Sequence, residues 1–161
     1  MKSSICILGI DPGFDRFGVS VLKKENNKES LIFSDCLITN KKESFDTRLF
    51  QIGNDLEKII KKYKPNHLSI EKLFLSSNKT TAMRVSEIRG ICIYLAKKYN
   101  IDIFEYSPPE IKLAITGYGK ASKEDISHMV ALILKLDKKD KKIDDEYDAI
   151  AIALTHSGTL K

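Results

Sequence analysis

Residues 5–10 read Ile-Cys-Ile-Leu-Gly-Ile and give way at once to Asp11-Pro12-Gly13. This run restricts the fold more than any other stretch of the chain. A segment apolar on both faces is a strand covered from both sides, which belongs in the middle of a layered α/β sheet. Pro12-Gly13 ends it in a turn. The acid that follows the apolar run is not an ordinary surface charge. It stands at the exit of the strand, where the crevices of open α/β sheets form.

The remaining pattern supplies the layers. Residues 16–23 alternate well enough to form a second strand, Asn26-Asn27 marks a hairpin, and a third strand falls near 31–38. The chain therefore opens as an antiparallel meander. Residues 45–63 place Leu49, Ile52, Leu56, Ile59, Ile60 and Tyr63 at helical spacing, with Ser44 as N-cap and Pro65-Asn66 as the stop. A short strand at 67–71 ends on Glu71, just as the first ends on Asp11. Helix 79–99 carries a stripe of Val85, Ile88, Cys92 and Leu95, and a fifth strand follows at 101–106. Ser107-Pro108-Pro109-Glu110 is a capping box, so a helix starts there and breaks at Gly117-Tyr118-Gly119. Ser122 opens another, with Ile126, Met129, Val130, Ile133 and Leu134 as its apolar face. A charged loop at 138–142 precedes a last helix at 144–155, with Tyr147, Ile150, Ala151 and Leu154 inward. The order βββαβαβααα predicts a five-stranded mixed sheet, antiparallel then parallel, with helices on both faces. Right-handed crossover sets strand 67–71 parallel beside the first.

At 161 residues, 42% hydrophobic and 30% charged, one domain spanning 1–161 is expected, with enough chain for a sizeable core. The net charge of +5 permits a polyanionic partner without demanding one. Cys6, Cys36 and Cys92 are odd in number and far apart, which argues against a zinc site or a disulfide framework. No signal-peptide layout and no run of about 20 apolar residues is present. A soluble, reducing, cytoplasmic setting with no membrane is expected.

Acids are the candidate chemistry. Asp11 and Glu71 leave the same sheet edge. Asp145 and Asp148, three apart, share one face of the last helix just before the small-residue run 149–153. Small residues admit close helix–sheet approach, which turns this pair toward the sheet. Four such carboxylates repel unless cations neutralise them. All-oxygen ligation without His or Cys suits Mg²⁺, with Mn²⁺ as substitute. A pair of ions of this kind supports phosphodiester hydrolysis. For Asp144, Asp145 and Glu146 a plain structural role competes, since acids at a helix N-terminus meet its dipole favourably.

The chain at this point resembles the RuvC family of Holliday junction resolvases, within the RNase H-like superfamily. The resemblance runs through Leu8-Gly9-Ile10-Asp11-Pro12-Gly13 with Phe17-Gly18-Val19, then Ile70-Glu71-Lys72-Leu73-Phe74 with Asn78. It continues through Arg89-Gly90, the stretches 105–112 and 116–123, and Asp145-Glu146-Tyr147-Asp148 followed by 149–153. The first motif alone also occurs in actin-like ATPases and related nucleases; all five in order are specific. The resemblance implies a homodimer, with helix 79–99 at its interface, that nicks two strands of like polarity in a four-way junction. It implies 5′-phosphate and 3′-hydroxyl ends, and partnership with the RuvA–RuvB branch-migration machinery. By position it makes Asp11, Glu71, Asp145 and Asp148 the ligands of two Mg²⁺ ions, with Asp11 shared. It places Lys123 near the scissile phosphate, Lys112 on another phosphate, and Phe74 against an unpaired base, a contact worth roughly 1–3 kcal/mol. Asn78, Lys79, Arg84 and Lys120 fall along the implied DNA path.

Departures are few. Lys120 stands where many relatives carry Arg, Tyr118 where Asn or Ile is common, and some relatives carry His at the position of Asp145. Asp144 is an extra neighbouring acid. An actin-like ATPase is disfavoured because the chain is too short for that duplicated architecture and has no second Asp-x-Gly. Two further functions compete with junction cleavage on this fold: junction binding without cleavage, and RNA processing by a related nuclease.

Overall fold

The computed structural model describes residues 4–73, 78–137 and 142–160. Five strands, β1 (Ile5–Asp11), β2 (Arg16–Glu25), β3 (Lys28–Ile38), β4 (His67–Glu71) and β5 (Asp102–Tyr106), form one sheet in the order β3-β2-β1-β4-β5. The first three pair antiparallel, and β1, β4 and β5 run parallel. The expected mixed sheet is therefore present. β2 and β3 are longer than the alternation suggests, because Asn26 and Asn27 both take positive φ (51° and 58°) and close the hairpin tightly.

Helices cover both faces. α1 (Phe45–Tyr63) and α2 (Lys79–Lys98) pack on one; α3 (Pro108–Thr116), α4 (Lys123–Leu134) and α5 (Asp144–Thr159) pack on the other. Period-2 alternation decides which residues each layer receives. Leu8, Ile10, Val19, Val21, Leu68 and Ile70 meet Ile52, Leu56, Ile88 and Cys92 of α1 and α2. On the opposite face, Ile7 and Leu22 meet Ile111, Ile126, Val130 and Ile150.

Three local expectations need correction. Ser44 sits at the N-cap of α1 but makes no side-chain cap bond; its hydroxyl pairs with that of Thr47 instead. Ile133 is 42% exposed, because α4 turns only Ile126 and Val130 fully inward and then ends at Lys135 in left-handed backbone. α3 and α4 do begin with reciprocal capping boxes at Ser107–Glu110 and Ser122–Asp125. α5 runs a turn past its expected end at 155. Lys24 Nζ donates to the carbonyls of Ser157 (2.8 Å) and Leu160 (2.7 Å), anchoring the C-terminal end of the helix.

α5 lies unusually close to the sheet. Ser20 Oγ donates to the carbonyl of Ala149 at 2.9 Å, and Ser69 Oγ to that of Ile152 at 2.7 Å. Gly9 and Gly18 complete the small-residue track beneath it. This seating carries the N-terminal turns of α5 over the C-terminal ends of β1 and β4. Of the charged loop expected at 138–142, residues 138–141 lie outside the described residues.

Candidate active site

Asp11, Glu71 and Asp148 line one cleft of about 290 Å³, with Lys112 and Lys123 on its rim and Ile126 and Ile152 in its wall. Each acid arrives by a different route. β1 and β4 are parallel and in register from Ile7↔His67 to Ile10↔Ile70, so Asp11 and Glu71 emerge side by side on the α5 face. α5 delivers Asp148 from above. The sheet edge and the helix thus bring together residues separated by 60 and 77 positions of sequence.

The electrostatics follow from crowding. The carboxyl of Asp11 is pushed up from 3.8 to about 7, first by burial and then by Asp148, Glu71 and Asp145. Burial, then Asp148, raises Glu71. Burial also raises Asp148, opposed by Lys123, whose Nζ lies 3.2 Å from its Oδ2. Asp148 in turn raises Lys123. A folded-state pKa above the unfolded value means that the folded protein binds protons more tightly. The associated stability is full below about pH 4 and is lost as pH rises toward 7. His156, held down to about 4 by burial, titrates in the opposite sense over the same range, so the contribution of the acids is read against Asp11→Asn. Metal-free wild type is expected to lose at least about 5 °C of melting temperature relative to that variant between pH 5 and pH 8, as thermal denaturation of both in EDTA would show. An unchanged difference would mean that the acids are not crowded.

Asp145 departs from the expected grouping. It contributes to the field at Asp11, yet its carboxylate turns to Arg16 at 2.8 Å and does not line the cleft. Among the described residues, no three His, Cys, Asp or Glu side chains are set closely enough to clasp one ion as they stand. Arg16 and Lys123 hold two of the acids aside. The donor set still suits a hard cation: it is all oxygen, partly buried, and carries more negative charge than these two cations offset.

The predicted DNA-facing residues divide. Lys112 joins the cleft, whereas Lys120 is exposed and outside its lining. Lys79 is exposed at the start of α2. Asn78 caps α2, its side chain accepting from the Thr81 N–H at 3.1 Å. Arg84 stacks over Phe14 and Phe45, its guanidinium carbon 5.4 and 5.1 Å from their ring centres. Phe74 lies outside the described residues. Sequence reasoning assigned no role to Arg16, Arg48 or Arg89, although Arg89-Gly90 is among the residues that carry the resemblance. The last two left a legible sign, for each is an arginine on its helix's apolar stripe, Arg48 four before Ile52 and Arg89 beside Ile88 and three before Cys92.

The sequence and the fold have counterparts among known proteins. Residues 7–156 match the family model described as crossover junction endodeoxyribonuclease RuvC. The RuvC of Petrotoga mobilis is 43% identical over 150 residues, covering 93% of this chain and 91% of its own. That of Ruminiclostridium cellulolyticum is 42% identical over 153 residues, covering 95% and 92%. The structure of T. thermophilus RuvC in complex with Holliday junction substrate superposes with a TM-score of 0.87 at 28% identity, covering 95% of this chain and 93% of that one. By sequence and by fold, the chain belongs to the RuvC family of crossover junction endodeoxyribonucleases.

Proposed function

We propose that this chain resolves Holliday junctions by paired, symmetric nicks in strands of like polarity, leaving 5′-phosphate and 3′-hydroxyl ends. The convergence of Asp11, Glu71 and Asp148 from two strands and a helix into one cation-rimmed cleft carries this reading. Asp11, Glu71, Asp148 and Asp145 would hold two Mg²⁺ ions per subunit, or Mn²⁺ in their place. When bound, the ions supply Lewis-acid activation of water and of the leaving oxygen. The protein's own work is to hold these acids together in a partly buried setting, and to meet phosphate with Lys112 and Lys123 along the cleft.

The acting unit would be a homodimer joined through α2. Met83 and Tyr94, 67% and 65% exposed and eleven residues apart, share one outward face of that helix, which supports the assignment. RuvA and RuvB are proposed as partners by family analogy alone.

The deciding experiment incubates the protein with a synthetic four-way junction, with and without Mg²⁺, beside linear duplex, replication fork and structured RNA. Paired nicks in the junction alone are expected. Preference for RNA would favour an RNA-processing role, and intact junction binding without cleavage a binding-only one.

Lys123 supplies a finer test. Its side chain is 67% exposed, so its pair with Asp148 adds little to stability. In Lys123→Gln the saturated cleavage rate is expected to fall about 10–100-fold, with the fold intact. The Mg²⁺ midpoint should fall as well, because Asp148 loses a competing cation. A variant with an unchanged rate would remove Lys123 from the chemistry.

A further inference from the structure

We infer that Arg48 and Arg89 are positioning residues that fix the two carboxylate-bearing turns from the side of the sheet opposite the cleft. Both guanidinium groups are buried, the residues being 6% and 8% exposed, and both belong to the α1–α2 layer. Their bonding follows one plan. Arg48 Nη2 donates to the carbonyl of Phe14 (2.8 Å) and to Asp15, and its Nε donates to Thr39 Oγ1 (2.8 Å). Arg89 donates to the carbonyl of Glu71 and to the carboxylate of Glu105. Each fork therefore grips a backbone carbonyl at or just beyond a cleft acid, and also an acid that is not in the cleft.

That second grip matters. A buried guanidinium without a counter-charge is costly. Asp15 and Glu105 provide the counter-charge, so the guanidinium groups bond to these acids and not to the carboxylates of Asp11 and Glu71, although the charge of Arg89 still acts on Glu71. Thr39 reinforces the first turn: its hydroxyl donates to the same Phe14 carbonyl at 2.6 Å, and its N–H to the carbonyl of Asp15 at 3.3 Å. The Phe14 ring then lies against Arg48, 5.3 Å from its guanidinium carbon, and also against Arg84. The turn after Asp11 is thus pinned to α1, to the exit of β3 and to α2. The strand end at Glu71 is pinned to α2 and β5. Lysine keeps the charge of arginine but has no planar fork with which to grip two acceptors at fixed angles.

The consequence for catalysis rests on the nuclease reading above; the bracing does not. The test uses full-length Arg48→Lys and Arg89→Lys, with Arg48→Gln and Arg89→Gln as uncharged companions. Residue-resolved hydrogen exchange is followed at Gly13 and Thr39 for the first turn and at Lys72 for the second, whose amides bond to Asp11, Asp15 and Tyr106. At least tenfold faster exchange confined to the matching amides is expected in each Lys variant. The Mg²⁺ midpoint for junction cleavage should rise at least fivefold. Wild-type exchange in the Lys variants would overturn the inference, as would acceleration spread evenly over the sheet. If the wild-type protein cleaves no junction, the proposed function fails, and the exchange data still decide this point.

Discussion

Asp11→Asn is expected to cut junction cleavage by at least about a thousandfold while leaving junction binding unchanged or tighter. The substitution keeps size and shape and removes one negative charge, so its effects separate cleanly. Asp11 is the acid on which Asp148, Glu71 and Asp145 all act. It is therefore the centre of the negative field that would draw a cation, and the position where neutralisation costs most. A thousandfold loss is about 4 kcal/mol of barrier, an ordinary magnitude for breaking a metal-assisted phosphoryl site. Removing a charge near phosphate also relieves repulsion of the DNA backbone, hence the unchanged or tighter binding. The same variant should reverse a stability trend. Without metal above pH 7, wild type keeps a crowded, ionised acid that the Asp11→Asn protein lacks. The variant should therefore melt higher than wild type at pH 8 and about equal to it at pH 5. Near-wild-type cleavage would remove Asp11 from the centre of the site. Loss of cleavage together with loss of junction binding would point to damage to the cleft as a whole.

The parts of this site that were legible from sequence share one property: their placement follows from local periodicity. Residues 5–10 fix β1 as a covered strand, and the register of a period-2 element then dictates that Ile7, Gly9 and Asp11 look one way while Leu8 and Ile10 look the other. Glu71 follows by the same logic on β4. The spacing of Asp145 and Asp148 put both on one side of a helix, and α5 does carry both toward the β1 end of the sheet. Spacing says nothing about partners, however. Arg16 begins β2, opposite Ile38 of β3, and only the assembled hairpin brings it 2.8 Å from Asp145. The expected ligand pair is split by that long-range contact. Arg48 and Arg89 failed in a different way. Arginine on an apolar stripe reads as a flaw in amphipathic pattern until buried acceptors at Phe14 and Glu71 explain it. Ile133 shows the opposite failure: its spacing fits the apolar pattern, yet it is exposed while Leu134 and Leu136 beyond it pack against the core.

Gly18→Ala is the second large effect, and it tests how α5 brings its acids to the strands. A Cβ at Gly18 would sit 2.2 Å from the carbonyl oxygen of Asp145 and 3.2 Å from Cβ of Asp11. The obstructing group is helix backbone, which cannot rotate aside. Restoring ordinary contact requires roughly a 1 Å lift of the first turns of α5. Overpacking of this kind typically costs about 1–3 kcal/mol, which denaturant titration would register. The catalytic cost should be disproportionate, because a 1 Å misplacement of reacting groups is worth about a hundredfold. Gly9→Ala meets the Ala149 carbonyl at 2.3 Å and Cβ of Ala153 at 2.8 Å, further along the same helix. It should therefore lose as much stability. Gly158→Ala is the control: nothing lies within 4 Å of its Cβ position, and in a helix the change should be neutral or stabilising by up to about 1 kcal/mol. If Gly18→Ala folds and cleaves like Gly158→Ala, the close seating of α5 on β1 and β2 is not what assembles the carboxylates. If instead its cleavage falls a hundredfold while most of the protein remains folded, the missing side chain at Gly18 is as much a part of the active site as the acids it lets approach.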